Sequence, residues 1–307
     1  MSRAVVFGYH NVGYRCLATL LAHGVDVPLV ITHIDAPGEN IWFESVAKLA
    51  RRHGIETIYP ADPNTEDLGE RLRALAPDFL FSFYYRHMLK PNLLAIPKRG
   101  AFNMHGSLLP KYRGRVPVNW AVLHGESQTG ATLHEMVEKP DAGRIVDQTA
   151  VPILPNDTAH DVFNKVTVAA EIVMSRCLPS MLEGTTHPTV PDLRSGSYFG
   201  GRKPDDGRIN WAMSAWSVHN LVRAVAPPYP GAFCKVGDRH LAVLRTWWRD
   251  QRTTRVAAPA LMQDDGRLFI RCADGGVLDL LHAEVDDTLL TAQSFSHFFG
   301  SSEVLLT

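Results

Sequence analysis

At 307 residues the chain is long enough for two domains of ordinary size. Apolar residues make up 45% and charged residues 21%, as in globular proteins, and a formal net charge of −1 excludes a global basic field that would recruit nucleic acid or an anionic membrane. Four cysteines (Cys16, Cys177, Cys234, Cys272) stand far apart with no C-x-x-C, which excludes a disulfide framework and a cysteine zinc site, and fits a reducing, cytoplasmic setting.

The amino terminus reaches a polar residue after a handful of apolar ones, so it is expected to be a first strand and not a signal peptide; no run of about 18 apolar residues follows anywhere. Residues 4–9 form a buried-strand pattern, and 15–23 a helix closed by Gly24. A second strand is expected over 27–33, then a helix around 43–53 with Gly54 behind it. ETIYP (56–60) and DFLFSFYY (78–85) are further strands, separated by the amphipathic stretch 65–76, and GAFNMH (100–105) is the next. Short β-branched runs alternating with helices of this length imply βαβ units, hence a mostly parallel, Rossmann-like α/β sheet. Ligands of such sheets gather at the carboxyl ends of the strands, and Asn103 and His105 sit at one of those ends.

A basic loop follows, with Lys111, Arg113 and Arg115, then a short helix (117–124). Runs 131–137 and 144–153, joined by KPDAG, form a hairpin pattern, and a long amphipathic helix (158–181) is expected to open on Asp157 as its N-cap. Residues 183–207 are rich in Gly, Pro, Ser and Thr, a linker composition. Beyond them, short strands such as RHLAVLRTWW, RLFIRC and GVLDLLHAE suggest a small all-β module, an OB-like barrel. The expected organisation is therefore a catalytic domain over 1–185, a linker over 186–207 and a small C-terminal domain over 208–307.

An imidazole can exchange a proton near neutral pH, and a carboxamide N–H offers a fixed donor to a developing oxyanion. Asn103 and His105 together thus suit acyl transfer, although a lone histidine can equally well cap a strand. Asp141, in KPDAG, reads as an ordinary turn residue. A carboxylate folded back beside an imidazole would favour the charged ring, which spacing alone does not establish. The basic loop could bind phosphate or simply be solvated, and Pro110 and Gly114 give it a defined path. FGYHNVG is a poor dinucleotide fingerprint, and no H-E-x-x-H, Walker A or G-x-S-x-G is present, so neither NAD nor a metal is expected.

N-x-H-x-S-L-L-P-x-Y-R-G-x-x-P-x-x-W (103–120), followed by T-G-A-T-L-H-E-M and D-A-G-R-I (129–145), resembles the folate-dependent formyltransferases. That family includes methionyl-tRNA formyltransferase, glycinamide ribonucleotide formyltransferase and the sugar N-formyltransferases. FGYHNVG (7–13), PGEN (37–40), FSFYYRHML (81–89), FGGRKPDDG (199–207) and VRAVAPPYPGAF (222–233) narrow the likeness to the ArnA-type enzymes, which formylate UDP-4-amino-4-deoxy-L-arabinose in lipid A modification.

The resemblance implies Asn103, His105 and Asp141 as a catalytic trio. It implies a 10-formyltetrahydrofolate site at His87, Met88, Leu89, Arg115, Val137, Glu138, Lys139, Pro140 and Asp141. Tyr9, His10, Arg202 and Asp205 are candidates for contacts with a nucleotide-sugar substrate, the last two weighed against an ordinary linker turn. In ArnA itself a second, NAD-dependent domain performs oxidative decarboxylation; here that step is expected on a separate polypeptide. A transfer-RNA partner is disfavoured, because from Gly207 onward ten Lys and Arg meet ten Asp and Glu, a balance of zero.

Overall fold

The computed structural model describes residues 2–252 and 258–307. The chain divides into two compact, discontinuous units: residues 1–117, 129–151 and 163–200 form the first, and 118–128, 152–162 and 201–307 the second.

The first unit is built on a seven-stranded sheet. In chain order the elements as far as residue 199 are β1 (Arg3–Gly8), α1 (His10–Ala22), β2 (Asp26–Ile31), α2 (Val46–Arg52), β3 (Glu56–Ile58), α3 (Glu66–Leu75), β4 (Phe79–Phe83), α4 (Pro91–Leu94), β5 (Ala101–His105), β6 (Arg113–Gly114), α5 (Pro117–Leu123), β7 (Gln128–Glu135), β8 (Ile145–Pro152), α6 (Ala159–Glu183) and β9 (Tyr198–Phe199), of which α5 and the first turn of α6 fall in the second unit. The sheet order is β3-β2-β1-β4-β5-β7-β8. Strands β3 to β5 are parallel, and β7 returns antiparallel against β5. The central strands are buried on both faces, which is why β1 and β4 read as unbroken apolar runs with no alternation. Val5, Phe7, Leu29, Ile31, Leu80 and Leu93 pack one face into a core.

Local signals set most boundaries. Thr65 caps α3 by accepting from Leu68 N, and Ala76 ends it in the left-handed region. Two expectations are corrected. α1 begins at His10, five residues before 15, and Asp157 is not the cap of α6. Asp157 instead accepts from Leu154 N (2.6 Å), while Thr158 and Asp161 form a reciprocal cap: Thr158 N donates to the Asp161 carboxylate (2.8 Å) and Asp161 N to Thr158 Oγ1 (3.2 Å).

In the second unit β10 (Ala232–Val236), β11 (Arg239–Arg252), β12 (Ala260–Asp264), β13 (Arg267–Arg271), β14 (Gly276–Val285), β15 (Thr288–Leu289) and β16 (Glu303–Leu305) accompany helices α7 (Ala215–Val225) and α8 (Ala292–Phe299). The strand path is β10-β11-β14-β13-β12-β16, all antiparallel, with register shifts along β11 that curl the sheet into a half-barrel. Val218, Val222, Leu241, Ile270, Leu278 and Phe295 belong to its core.

Candidate active site

Asn103 and His105 stand on one face of β5, two residues apart, near its carboxyl end. Antiparallel β7 sets His134 opposite Asn103 and Thr132 opposite His105, so cross-strand neighbours extend the pair into a four-residue patch.

The loop after β5 wires this patch. His105 Nε2 lies 2.7 Å from the Tyr112 carbonyl, which can only accept, so Nε2 carries the proton and Nδ1 is the nitrogen whose protonation can change. Nδ1 faces Asp141 Oδ1 at 3.7 Å. His134 is arranged the same way. Its Nδ1 donates to its neighbour's carbonyl at Glu135 (2.8 Å), leaving Nε2 between Asn103 Nδ2 (3.2 Å) and Asp141 Oδ1 (3.4 Å). Neutral His134 accepts from the Asn103 amide; a charged His134 donates to the carboxylate. Two titratable imidazoles therefore share one carboxylate oxygen, and Asp141 Oδ2 accepts from Gly114 N (2.8 Å).

Burial alone would raise the Asp141 carboxyl. The charge of His105, the hydrogen bond from His134 and the Gly114 N–H outweigh it and hold the group well below the usual carboxylate range. Asp141 keeps this place with φ +50°, in the left-handed region that Asp tolerates better than most residues. The base of its loop is closed by Arg144, which donates to both Glu135 carboxylate oxygens (2.7 and 2.6 Å). Gly143 is needed there, because a Cβ would overlap the Glu135 carbonyl.

The 106–115 loop is clasped at several points. Ser107 donates to Lys111 O (2.6 Å), Thr132 to Ser107 O (2.6 Å), and Gln148 to Leu109 O (2.8 Å). The stretch expected as linker contributes β9, which pairs with β6, and Phe199 stacks on Tyr112 at 5.3 Å. Gly114 has φ +97°, and a Cβ on it would overlap the Phe199 carbonyl. The three cations of the loop part company: Arg113 is buried, whereas Lys111 and Arg115 are exposed.

Apart from Arg115, on the loop after β5 itself, the expected folate residues lie on two loops that leave strands on either side of β5. After β4, His87 is exposed, Met88 is 59% exposed and Leu89 is buried in the core. This exit is held by Asn64, which donates to Met88 O (3.0 Å) and accepts from Lys90 N (2.8 Å), and α4 starts only at Pro91. After β7, Val137 is 43% exposed, Glu138 and Lys139 are exposed and Pro140 is half-buried.

Tyr9 is buried, and its hydroxyl donates to Asp35 Oδ1 (2.6 Å) while the Arg86 guanidinium lies 4.5 Å above its ring. Arg86 pairs with Glu39, and its N–H donates to His33 Nε2 (3.0 Å). Burial, then the charges of His87 and Arg86, push His33 down to about 4. His10 is held among Phe43, Trp42 and Phe163. Arg202 and Asp205 belong to the second unit: the Arg202 guanidinium lies 5.0 Å from the Trp120 ring and donates to Asp206 O (2.9 Å), and burial lowers its pKa. Asp205 is exposed on a 3-10 turn.

The resemblance to the formyltransferases singled out Asn103, His105 and Asp141 but passed over His134, although it lies inside T-G-A-T-L-H-E-M. The available signal was the two-residue alternation of β7, which sets Thr132 and His134 on one face.

A Formyl transferase family model matches residues 12–178, and a Formyl transferase C-terminal domain model matches residues 202–297. The chain belongs to the formyl transferase family.

Among solved structures this formyltransferase is similar to an N-formyltransferase from Helicobacter canadensis in complex with folinic acid and dTDP-3-aminofucose. Identity is 22%, 91% of this chain and 99% of that one are covered, and the TM-score is 0.76. It is also similar to WlaRD, a sugar 3N-formyl transferase crystallised in the presence of dTDP and 5-N-formyl-THF, at 20% identity, coverages of 91% and 97%, and TM-score 0.73. HypX from Aquifex aeolicus, in complex with tetrahydrofolic acid, matches at 17% identity and TM-score 0.64 over 97% of this chain and 48% of its own. At these identities the likeness establishes the fold. Among the described residues no helix is long and apolar enough to cross a membrane.

Proposed function

We propose that this formyltransferase moves the formyl group of 10-formyltetrahydrofolate onto the 4-amino group of a nucleotide-linked amino sugar, namely UDP-4-amino-4-deoxy-L-arabinose in lipid A modification. The observation that carries the reading is the cluster of Asn103, His105, His134 and Asp141 at the end of β5. Exposed apolar side chains, Met88 and Val137, flank it on loops where a planar pterin needs apolar cover.

When bound, the folate supplies an electrophilic formyl carbon on a nitrogen leaving group. The residues of this chain do the rest. The loop after β4 (His87, Met88, Leu89), Arg115 and residues 137–141 hold the co-substrate. Asn103 turns its remaining amide N–H, and His105 its Nδ1–H, toward the oxygen on which negative charge develops. Asp141 fixes the charge state and orientation of both imidazoles. One proton must leave the attacking amine and one must reach the departing nitrogen as the new C–N bond forms and the old one breaks. Asp141, beside His105 Nδ1, helps to move the proton from the attacking to the departing nitrogen, with water as an alternative first acceptor.

A second reading comes from the solved relatives, whose complexes contain dTDP or dTDP-3-aminofucose: a dTDP-linked 3-amino sugar as acceptor. A third, methionyl-tRNA, is disfavoured by the zero balance of charge from Gly207 onward. The test is tetrahydrofolate release from purified protein with 10-formyltetrahydrofolate and each acceptor in turn. Turnover with UDP-4-amino-4-deoxy-L-arabinose at least tenfold above the dTDP sugars is expected. Preference for a dTDP-3-amino sugar or for Met-tRNA would refute this acceptor.

A further inference from the structure

One stretch of the resemblance, PGEN (37–40), has no part in the cluster around Asn103. It folds as a turn after β2. Glu39 N donates to Ala36 O (3.0 Å), and Gly38 stands at φ +79°, the value that the third position of a Pro-Gly turn requires. Ala36 N donates in return to Glu39 Oε2 (3.2 Å), which fixes the carboxylate relative to the turn.

Glu39 meets the loop that carries His87, Met88 and Leu89. Arg86 donates to both of its oxygens, from Nη1 to Oε2 at 3.3 Å and from Nη2 to Oε1, a two-pronged pair. The same guanidinium covers the Tyr9 ring at 4.5 Å. The main chain adds a second tie, since Arg86 N donates to His33 Nε2 (3.0 Å). That bond needs an unprotonated Nε2, and burial, ahead of the neighbouring charges, keeps His33 neutral down to about 4. The His33 ring is stacked on Tyr85 (4.2 Å between centroids) and on His87 (5.1 Å), so turning it would break both contacts.

Exposed ion pairs usually contribute little. Three features set this one apart: both carboxylate oxygens are engaged, the Glu39 side chain is only 20% exposed, and an aromatic ring closes one side of the guanidinium. The loop also needs holding. Tyr84 opens it at φ +57°, a left-handed conformation that is costly for a bulky residue and persists only when its surroundings enforce it. Asn64 ties the far end at Met88 and Lys90, and Arg86 ties the near end. His87 stands between the two anchorages.

We propose that Arg86, Glu39 and His33 are positioning residues for the co-substrate, a latch that holds the 84–90 loop against the turn after β2 in the form that receives 10-formyltetrahydrofolate. They act through the backbone of His87 and Met88. The inference rests on placing the co-substrate at 87–89. With the latch open, only a fraction of the molecules present the competent loop, and apparent affinity falls by that fraction. Once the co-substrate is bound, the reacting groups stand as before.

The test is calorimetry of the full chain with 5-formyltetrahydrofolate, with no acceptor present. Glu39→Gln keeps the acceptor for Ala36 N and removes the charge; His33→Phe keeps the stack and removes the acceptor for Arg86 N. Each should raise Kd roughly 3–10-fold. The double variant Glu39→Gln/Arg86→Gln should match Arg86→Gln alone, because either change opens the same latch. In turnover with an active acceptor, KM for 10-formyltetrahydrofolate should rise by the same factor while kcat stays within about twofold, a split that general destabilisation does not produce. Unchanged Kd in both Glu39→Gln and His33→Phe overturns the proposal, and so do single-variant factors that multiply in the double variant. Met88→Ala reads the loop assignment separately. A raised Kd there, beside an unchanged Kd in the latch variants, keeps the loop and overturns the latch; an unchanged Kd in all of them overturns both.

Discussion

Replacing Asn103 by Ala removes one donor from the proposed oxyanion site, and the structure separates its catalytic cost from its structural one. In the folded chain the amide makes one side-chain hydrogen bond, to His134 Nε2 at 3.2 Å, and the residue is only partly buried. Losing one neutral hydrogen bond costs about 1 kcal/mol. In a chain of this size that moves the melting temperature by only a few degrees. A donor aimed at developing charge is worth far more, about 2.7–4 kcal/mol, or roughly 10²–10³ in kcat. Steady-state tetrahydrofolate release and thermal unfolding of the same preparation therefore give two numbers with different expected sizes. A kcat loss of 10² or more beside a small melting shift is expected. If kcat stayed within threefold of wild type, Asn103 would not be an oxyanion donor.

Gly114→Ala sets a Cβ at φ +97° against the Phe199 carbonyl and disturbs the N–H that anchors Asp141. Strain and overlap should cost about 2–4 kcal/mol, read as a lowered urea midpoint together with reduced kcat; an unchanged midpoint would refute the role given to this turn. In the second unit, burial above all keeps His219 neutral and pushes it down to about 4, with Nδ1 on Thr246 Oγ1 (2.8 Å) and Nε2 on Pro155 O (2.9 Å). The unfolded chain takes this proton below about 6.5 and the folded chain only near 4, so stability should fall by roughly 3 kcal/mol as pH drops through that window. Urea midpoints at pH 7 and pH 5 should converge in His219→Gln, and equal pH dependence in variant and wild type would refute the assignment.

The periodicity of the chain announced the α/β class and nearly every strand of the first unit, because buried parallel strands must be apolar on both faces. Boundaries failed where tertiary contacts outvoted local signals. α1 starts at His10 in a strained conformation because the imidazole is gripped by Phe43, Trp42 and Phe163, partners distant in sequence. The cap of α6 fell one residue away, since Asp157 turns back to Leu154 and frees Thr158 for the reciprocal bond with Asp161.

By itself the sequence determined which residue types were available for acyl transfer, and on which strand two of them stand. The strand period of two puts Asn103 and His105 on one face whatever surrounds them. Only the tertiary structure decided their partners. His134 joins the site through antiparallel β7, and Asp141 through a loop closed by Glu135 and Arg144. The proton position on His105 is set by a carbonyl that reaches it only when 106–115 is clasped between Thr132, Gln148 and β9. Charge state and tautomer depend on groups within a few ångströms in space, and proximity in space between residues tens of positions apart is what folding supplies.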